Sequence, residues 1–155
     1  MFEYDKNYNP NSVDDFVAIC CKFIPSQLCF FTPAGNKIKV WNALTGDIKR
    51  IYSDISTGEI TAFELDNLKK RMIIGDSLGV VAIYNVVNGA KIKTLPKHAA
   101  EVTNIVYAII NASKIGGMNK GSNIQDLEPA ETRIFITAAM DNKIHMTKDN
   151  DFGEN

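Results

Sequence analysis

Along residues 37–41 the side chains alternate: Ile38 and Val40 fall on one face, Lys37, Lys39 and Trp41 on the other. That period of 2 is the pleat of a β-strand. Thr45-Gly46 then turns the chain into residues 47–52, a further strand with Ile48 near its start and Ile51 near its end. Two apolar runs come before. Residues 16–23 are closed by Pro25-Ser26 and residues 28–32 by Pro33-Ala34-Gly35, and both predict strands bounded by turns. The same four beats return. Residues 60–65 predict a strand, Asp66-Asn67 a turn, and residues 71–75 a strand rich in Met and Ile. Gly79 opens a strand in which Val81 and Ile83 share one face and Tyr84 takes the place of Trp41. Asn88-Gly89 repeats the turn, and Ile92 and Leu95 continue a fourth strand to Pro96. Residues 1–12 show no period of 2 or 3.6 and predict an arm.

The chain is therefore a repeat. Ile38-Lys39-Val40-Trp41-Asn42 recurs 43 residues later as Val81-Ala82-Ile83-Tyr84-Asn85, and His98-Ala99-Ala100-Glu101-Val102-Thr103 matches Ser56-Thr57-Gly58-Glu59-Ile60-Thr61 at an offset of 42. A period in the low forties built from short strands is the signature of a β-propeller array. The third copy is interrupted: residues 102–109 predict its first strand, then a polar, glycine-bearing insertion at 111–132 delays two more strands at 134–137 and 143–146. These boundaries predict an all-β fold of about two and a half four-stranded antiparallel blades: 13–55, 56–97, and a partial third over 98–148. A polar tail follows at 149–155. A four-stranded sheet cannot cover both its apolar faces alone, whereas radial stacking of sheets covers them.

Composition narrows the function. With 45% hydrophobic and 23% charged residues over 155, the balance is that of a globular domain. Seventeen basic against 18 acidic residues leave no field to gather nucleic acid or an anionic membrane. No apolar stretch approaches membrane-spanning length, and no basic region precedes an apolar one at the start, so the chain reads as cytoplasmic. Cys20, Cys21 and Cys29 make an odd count that favours free thiols, and no zinc-ligand spacing links them to His98 or His145.

On these residues the chain resembles the WD-repeat β-propeller proteins over positions 13–148. Trp41-Asn42 and Tyr84-Asn85 stand where that family ends a strand in Trp-Asp, and Lys97-His98 stands where it opens a repeat with Gly-His. The resemblance makes Trp41, Asn42, Gly46, Tyr84, Asn85, Gly89, His98 and Asp141 repeat-structural. It implies a buried hydrogen-bond network at His98, Thr137 and Asp141, with Thr147 replacing the family's Trp. The phrasing of residues 59–107 is also similar to divergent WD-repeat proteins of motile cilia and sperm, which implies a ciliary setting.

Chemistry is sparse. His98 could serve as a general base but is better placed to bond Asp141 or a backbone group. His145 alternates with Ile144 and Met146 and faces away from them. Residues 116–122 lack the lysine position and the strand–helix frame of a phosphate loop. The Asp149-Asn150-Asp151 start does not continue into a calcium loop. No catalytic, cofactor or metal set is predicted. Candidate partner contacts are Lys69, Lys70 and Arg71, the densest basic cluster, and Ile115, Met118, Ile124 and Leu127 in the insertion. The expectation is a non-catalytic protein-interaction scaffold, with other blades or chains covering its open ends. The alternatives are a propeller enzyme whose catalytic groups lie elsewhere, or a small β-sandwich whose last strands pair back onto the first.

Overall fold

The structure, a computed structural model, describes residues 16–111 and 131–150. Their eleven strands form three antiparallel sheets, with no α-helix among the described residues. The chain divides into two compact units between Ile60 and Thr61.

The first unit holds the sheet β1 (Lys22–Ile24), β2 (Cys29–Ala34), β3 (Lys37–Asn42) and β4 (Ile48–Tyr52), in that spatial order. Ile24, Phe31 and Ile38 are fully buried in it. Two expected boundaries are corrected. The run at 16–23 is a strand only from Lys22, preceded by a single bridge between Ala18 and Ala34. The second strand does not stop at Pro33, which pairs with Ile38. The N–H and C=O of one residue point to the same side of a strand. Pro33 O accepts the Ile19 N–H at 3.0 Å, so the missing donor faces the loosely paired segment and costs β3 nothing.

The second unit holds two sheets. One comprises β5 (Ile60–Leu65), β6 (Arg71–Asp76), β7 (Val81–Asn85) and β8 (Lys91–Thr94), its first residue lying at the unit boundary. The other comprises β9 (Val102–Asn111), β10 (Glu131–Ala139) and β11 (Ile144–Lys148). Ala62, Ile73, Val81, Ile83 and Leu95 from one sheet share a core with Val102, Ile105 and Phe135 from the other, and Tyr107 packs against it. Each buried Val, Leu, Ile or Phe side chain among them contributes about 1.5–3 kcal/mol by leaving water. Gly75 permits the close approach: a Cβ there would lie 2.6 Å from Val102 Cγ1. The sandwich alternative is overturned, because among the described residues β9, β10 and β11 pair only with one another.

The hairpin β9–β10 is longer than its hydrophobic pattern predicts. Its ladder runs out to Asn111 paired with Glu131, so polar residues at both margins of the expected insertion are strand. Register is held by the ladder's own hydrogen bonds beyond the last apolar side chain.

Candidate functional site

Trp41 and Tyr84 occupy equivalent places. Each sits on the third strand of its sheet, and each follows the same irregularity: the register with the fourth strand shifts between Val40 and Trp41, and between Ile83 and Tyr84. Trp41 is half-buried, stacked on Phe30 at 5.9 Å, with its Nε1 donating to Thr32 Oγ1 at 2.7 Å. Lys39 Nζ lies over the indole at 5.7 Å, its stem buried. Tyr84 is buried, and burial pushes its phenol above the usual range, with the Asp76 carboxylate adding in the same sense. Lys91 Nζ lies 5.7 Å over its ring.

The turns that follow are built alike. Asn42 Oδ1 accepts the Leu44 N–H at 3.0 Å, and Asn85 Oδ1 accepts the Val87 N–H at 2.7 Å. Gly46 and Gly89 donate their N–H groups to Asn42 O and Asn85 O. Both glycines have positive φ, 75° and 72°. Asparagine serves here as well as aspartate would, because the turn needs only one side-chain oxygen acceptor.

The cluster 69–71 is not one patch. Asp66 organises its turn: Oδ1 accepts the Lys70 and Arg71 amides at 2.8 and 3.1 Å. Arg71 then turns inward. Its Nε donates to Asp66 Oδ2 at 3.0 Å, its Nη1 to Asp149 Oδ1 at 2.9 Å, and its Nη2 to Asp149 Oδ2. The Tyr107 hydroxyl donates to Asp149 Oδ2 at 2.8 Å, and the guanidinium lies over the Tyr107 and Phe135 rings at 5.9 and 5.8 Å. The Arg71 side chain is 11% exposed and that of Asp149 is fully buried. Arg71 is thus withdrawn from the docking cluster, and the expected polar tail does not begin at 149. The Asp149 N–H closes on Arg133 O at 2.8 Å, which fixes the carboxylate where Arg71 needs it. The Asp149 hydrogen bond holds the arginine still more firmly protonated. Burial, reinforced by Asp149, pushes the Tyr107 phenol well up.

The other end of these sheets carries the second network. His98 is buried, its Nδ1 3.2 Å from Asp141 Oδ2 and its Nε2 2.8 Å from Thr137 Oγ1. A carboxylate only accepts, so Nδ1 is the donor, and in the neutral ring Nε2 accepts the threonine hydroxyl. Asp141 also accepts the Ala99 and Lys143 amides at 3.0 Å each. The Ala99 amide, then the Lys143 amide and the His98 ring N–H, hold this carboxyl below its ordinary range. His145 stacks on His98 with ring centroids 4.0 Å apart, and its buried Nδ1 has no partner among the described residues. Sequence reasoning missed that contact. The signal lay in register: His145 pairs across the ladder with Thr137, so both meet His98 from one face. Gly79, at φ 78°, completes the end; its carbonyl accepts the His98 N–H at 2.9 Å, and a Cβ would lie 2.4 Å from His98 O.

Among the described residues, the far face of the third sheet is exposed beyond the buried Ile134. Val106, Ile136 and Met146 stand in one cross-strand row, with Ile144 beside them, and Met146 and Ile144 are 68% and 69% exposed. Among the described residues β11 has a partner strand on one side only. Ile115, Met118, Ile124 and Leu127 lie outside the described residues. Among the described residues no group of three or more His, Cys, Asp or Glu side chains is placed to hold a metal ion, and no helix is long and apolar enough to cross a membrane.

No protein-family model matches the chain. It is 61% identical, over all 155 residues, to cilia- and flagella-associated protein 337 B of Tetrahymena thermophila. The chain spans 11% of that relative's length. Among solved structures it is similar to Sqt1 of Saccharomyces cerevisiae, with TM-score 0.62, 10% identity, 85% of this chain and 31% of that one. The WD40 repeats of RRP9 give 0.64 and 12%, over 86% and 36% of the two chains. The β-propeller domain of Myceliophteria thermophila Cps50 (Swd1) gives 0.60 and 11%, with the same coverages. The fold is that of WD-type propeller blades, and the match covers about a third of each of those chains.

Proposed function

We propose that the chain is a non-catalytic protein-interaction module of the ciliary axoneme, working on the cytoplasmic side of the membrane and joined by further blades or another chain at its open face. The observation that carries this reading is the row Val106, Ile136 and Met146 on a sheet whose other face packs into a shared core. An apolar row of that kind is an unfilled interface. The 61% identity to a cilia- and flagella-associated protein supports the setting. The polar groups brought together at His98 and at Arg71 are bonded among themselves and hold sheets in place. That arrangement favours scaffold over catalyst.

The test is co-sedimentation of the 155-residue chain with isolated, salt-washed axonemes. Saturable retention is expected, lowered by replacing Ile144 and Met146 with lysine. Absence of saturable retention would remove the axonemal reading. A variant lacking residues 112–130, run in parallel, separates the insertion from the sheet face as the attachment element.

A further inference from the structure

We infer that the end of the second unit carrying the β5–β6 and β7–β8 turns docks an acidic protein segment that bears aliphatic side chains. This rests on the interaction-module reading and names the partner's chemistry. The tip of a tight turn is ordinarily Asn, Asp, Gly or Ser. Here the turn runs Asn85-Val86-Val87-Asn88-Gly89, and Val87 is 70% exposed. Its backbone is pinned, since Asn85 Oδ1 accepts both the Val87 and the Asn88 N–H, so the isopropyl group is held outward. The first unit repeats the departure independently: Leu44, at the matching position, is 75% exposed with its N–H on Asn42 Oδ1.

The neighbouring turn supplies charge. Val86 N–H donates to Lys70 O at 2.9 Å, which ties the two turns together and sets Leu68, Lys69 and Lys70 beside Val87. Leu68 is half exposed. Lys69 has φ 57°, a left-handed conformation that glycine or asparagine adopts more cheaply. Of the acids near this end, Asp66 and Asp149 both hold Arg71, Glu131 holds Arg133, and Glu64 Oε1 accepts the Leu65 N–H. Among the described residues no carboxylate bonds the Lys69 or Lys70 ammonium, so the tip presents aliphatic groups beside two cations. Electrostatic complementarity selects an acidic occupant, and Leu68 and Val87 select aliphatic contacts within it. Nucleic acid offers the charge without the aliphatic groups.

The probe is an acetylated nonapeptide of repeating Glu-Leu-Glu, titrated into the 155-residue chain by calorimetry at low salt. A Glu-Ser-Glu peptide of equal charge is the control. The leucine peptide is expected to bind about tenfold or more tighter than the serine peptide, and Lys70→Glu and Val87→Ser each to weaken it about tenfold, the size of a strong interface contact. Lys70→Arg keeps the charge and should retain binding, while far-UV circular dichroism confirms each fold. Equal affinity for both peptides, no binding, or binding indifferent to both substitutions overturns the inference. Retention on axonemes without peptide binding overturns this surface alone; peptide binding without retention overturns the axonemal module alone.

Discussion

The Arg71 guanidinium is held between two carboxylates that water does not reach. Removing it leaves Asp66 and Asp149 buried without a counter-charge, and breaking one side of such a set costs about 3–5 kcal/mol. Arg71→Met should therefore lower the denaturant midpoint of the second unit severely, and adding Asp149→Asn should recover part of the loss. Additive effects in that double-mutant cycle would show that the groups do not interact. Asp141 makes a pH-dependent contribution. The folded-state pKa of Asp141 is lowered, so its contribution is present above the ordinary carboxylate value of about 3.9 and fades as pH falls through the folded value. In urea titrations, wild type should exceed Asp141→Asn in midpoint at neutral pH, and the two should converge as the solution is acidified below that range. A gap that persists unchanged in acid would assign the stabilisation to something other than ionised Asp141.

At the scale of elements, strands with clean alternation were legible to within a residue or two, because sheet periodicity is written in every second side chain. Residues 60–65 emerged as expected, and β6 and β7 differ from expectation only at their ends. The resemblance-based network of His98, Thr137 and Asp141 was legible for a similar reason, since repeat spacing carries each member to a fixed place. Other features had no local mark. Residues 16–21 look as apolar as any strand, yet nothing in their own composition says whether a neighbour will pair with them. The Arg71–Asp149 pair joins residues 78 apart, and no window of sequence contains both. Turn chemistry supplies the prediction at this scale. Gly79 combines positive φ with backbone oxygens where a side chain would begin, so Gly79→Ala should cost more than the roughly 1 kcal/mol of a left-handed alanine alone. The readout is the thermal midpoint of the unit that carries the substitution. A loss no larger than that of Gly46→Ala, where no atom lies within 4 Å, would mean that the close approach relaxes freely.

For the whole molecule, the apolar row on the third sheet and the one-sided strand β11 are both surfaces that other chains can reach. Self-association is the expected behaviour of the 155-residue chain in isolation. Sedimentation velocity should show concentration-dependent oligomers, and Met146→Lys with Ile144→Glu should shift the distribution towards monomer. A monomer at all concentrations would mean that the row is covered by some means other than association. Trp41 is the chain's one tryptophan, and it lies in the first unit, its indole stacked on Phe30 and bonded to Thr32. Emission from that indole consequently watches only residues before the Ile60 boundary, while with Tyr4, Tyr8 and Tyr52 replaced by phenylalanine the tyrosine signal comes only from Tyr84 and Tyr107 beyond it. Melting curves recorded at the two wavelengths on one sample would reveal, by their coincidence or separation, whether the units unfold as a single cooperative body.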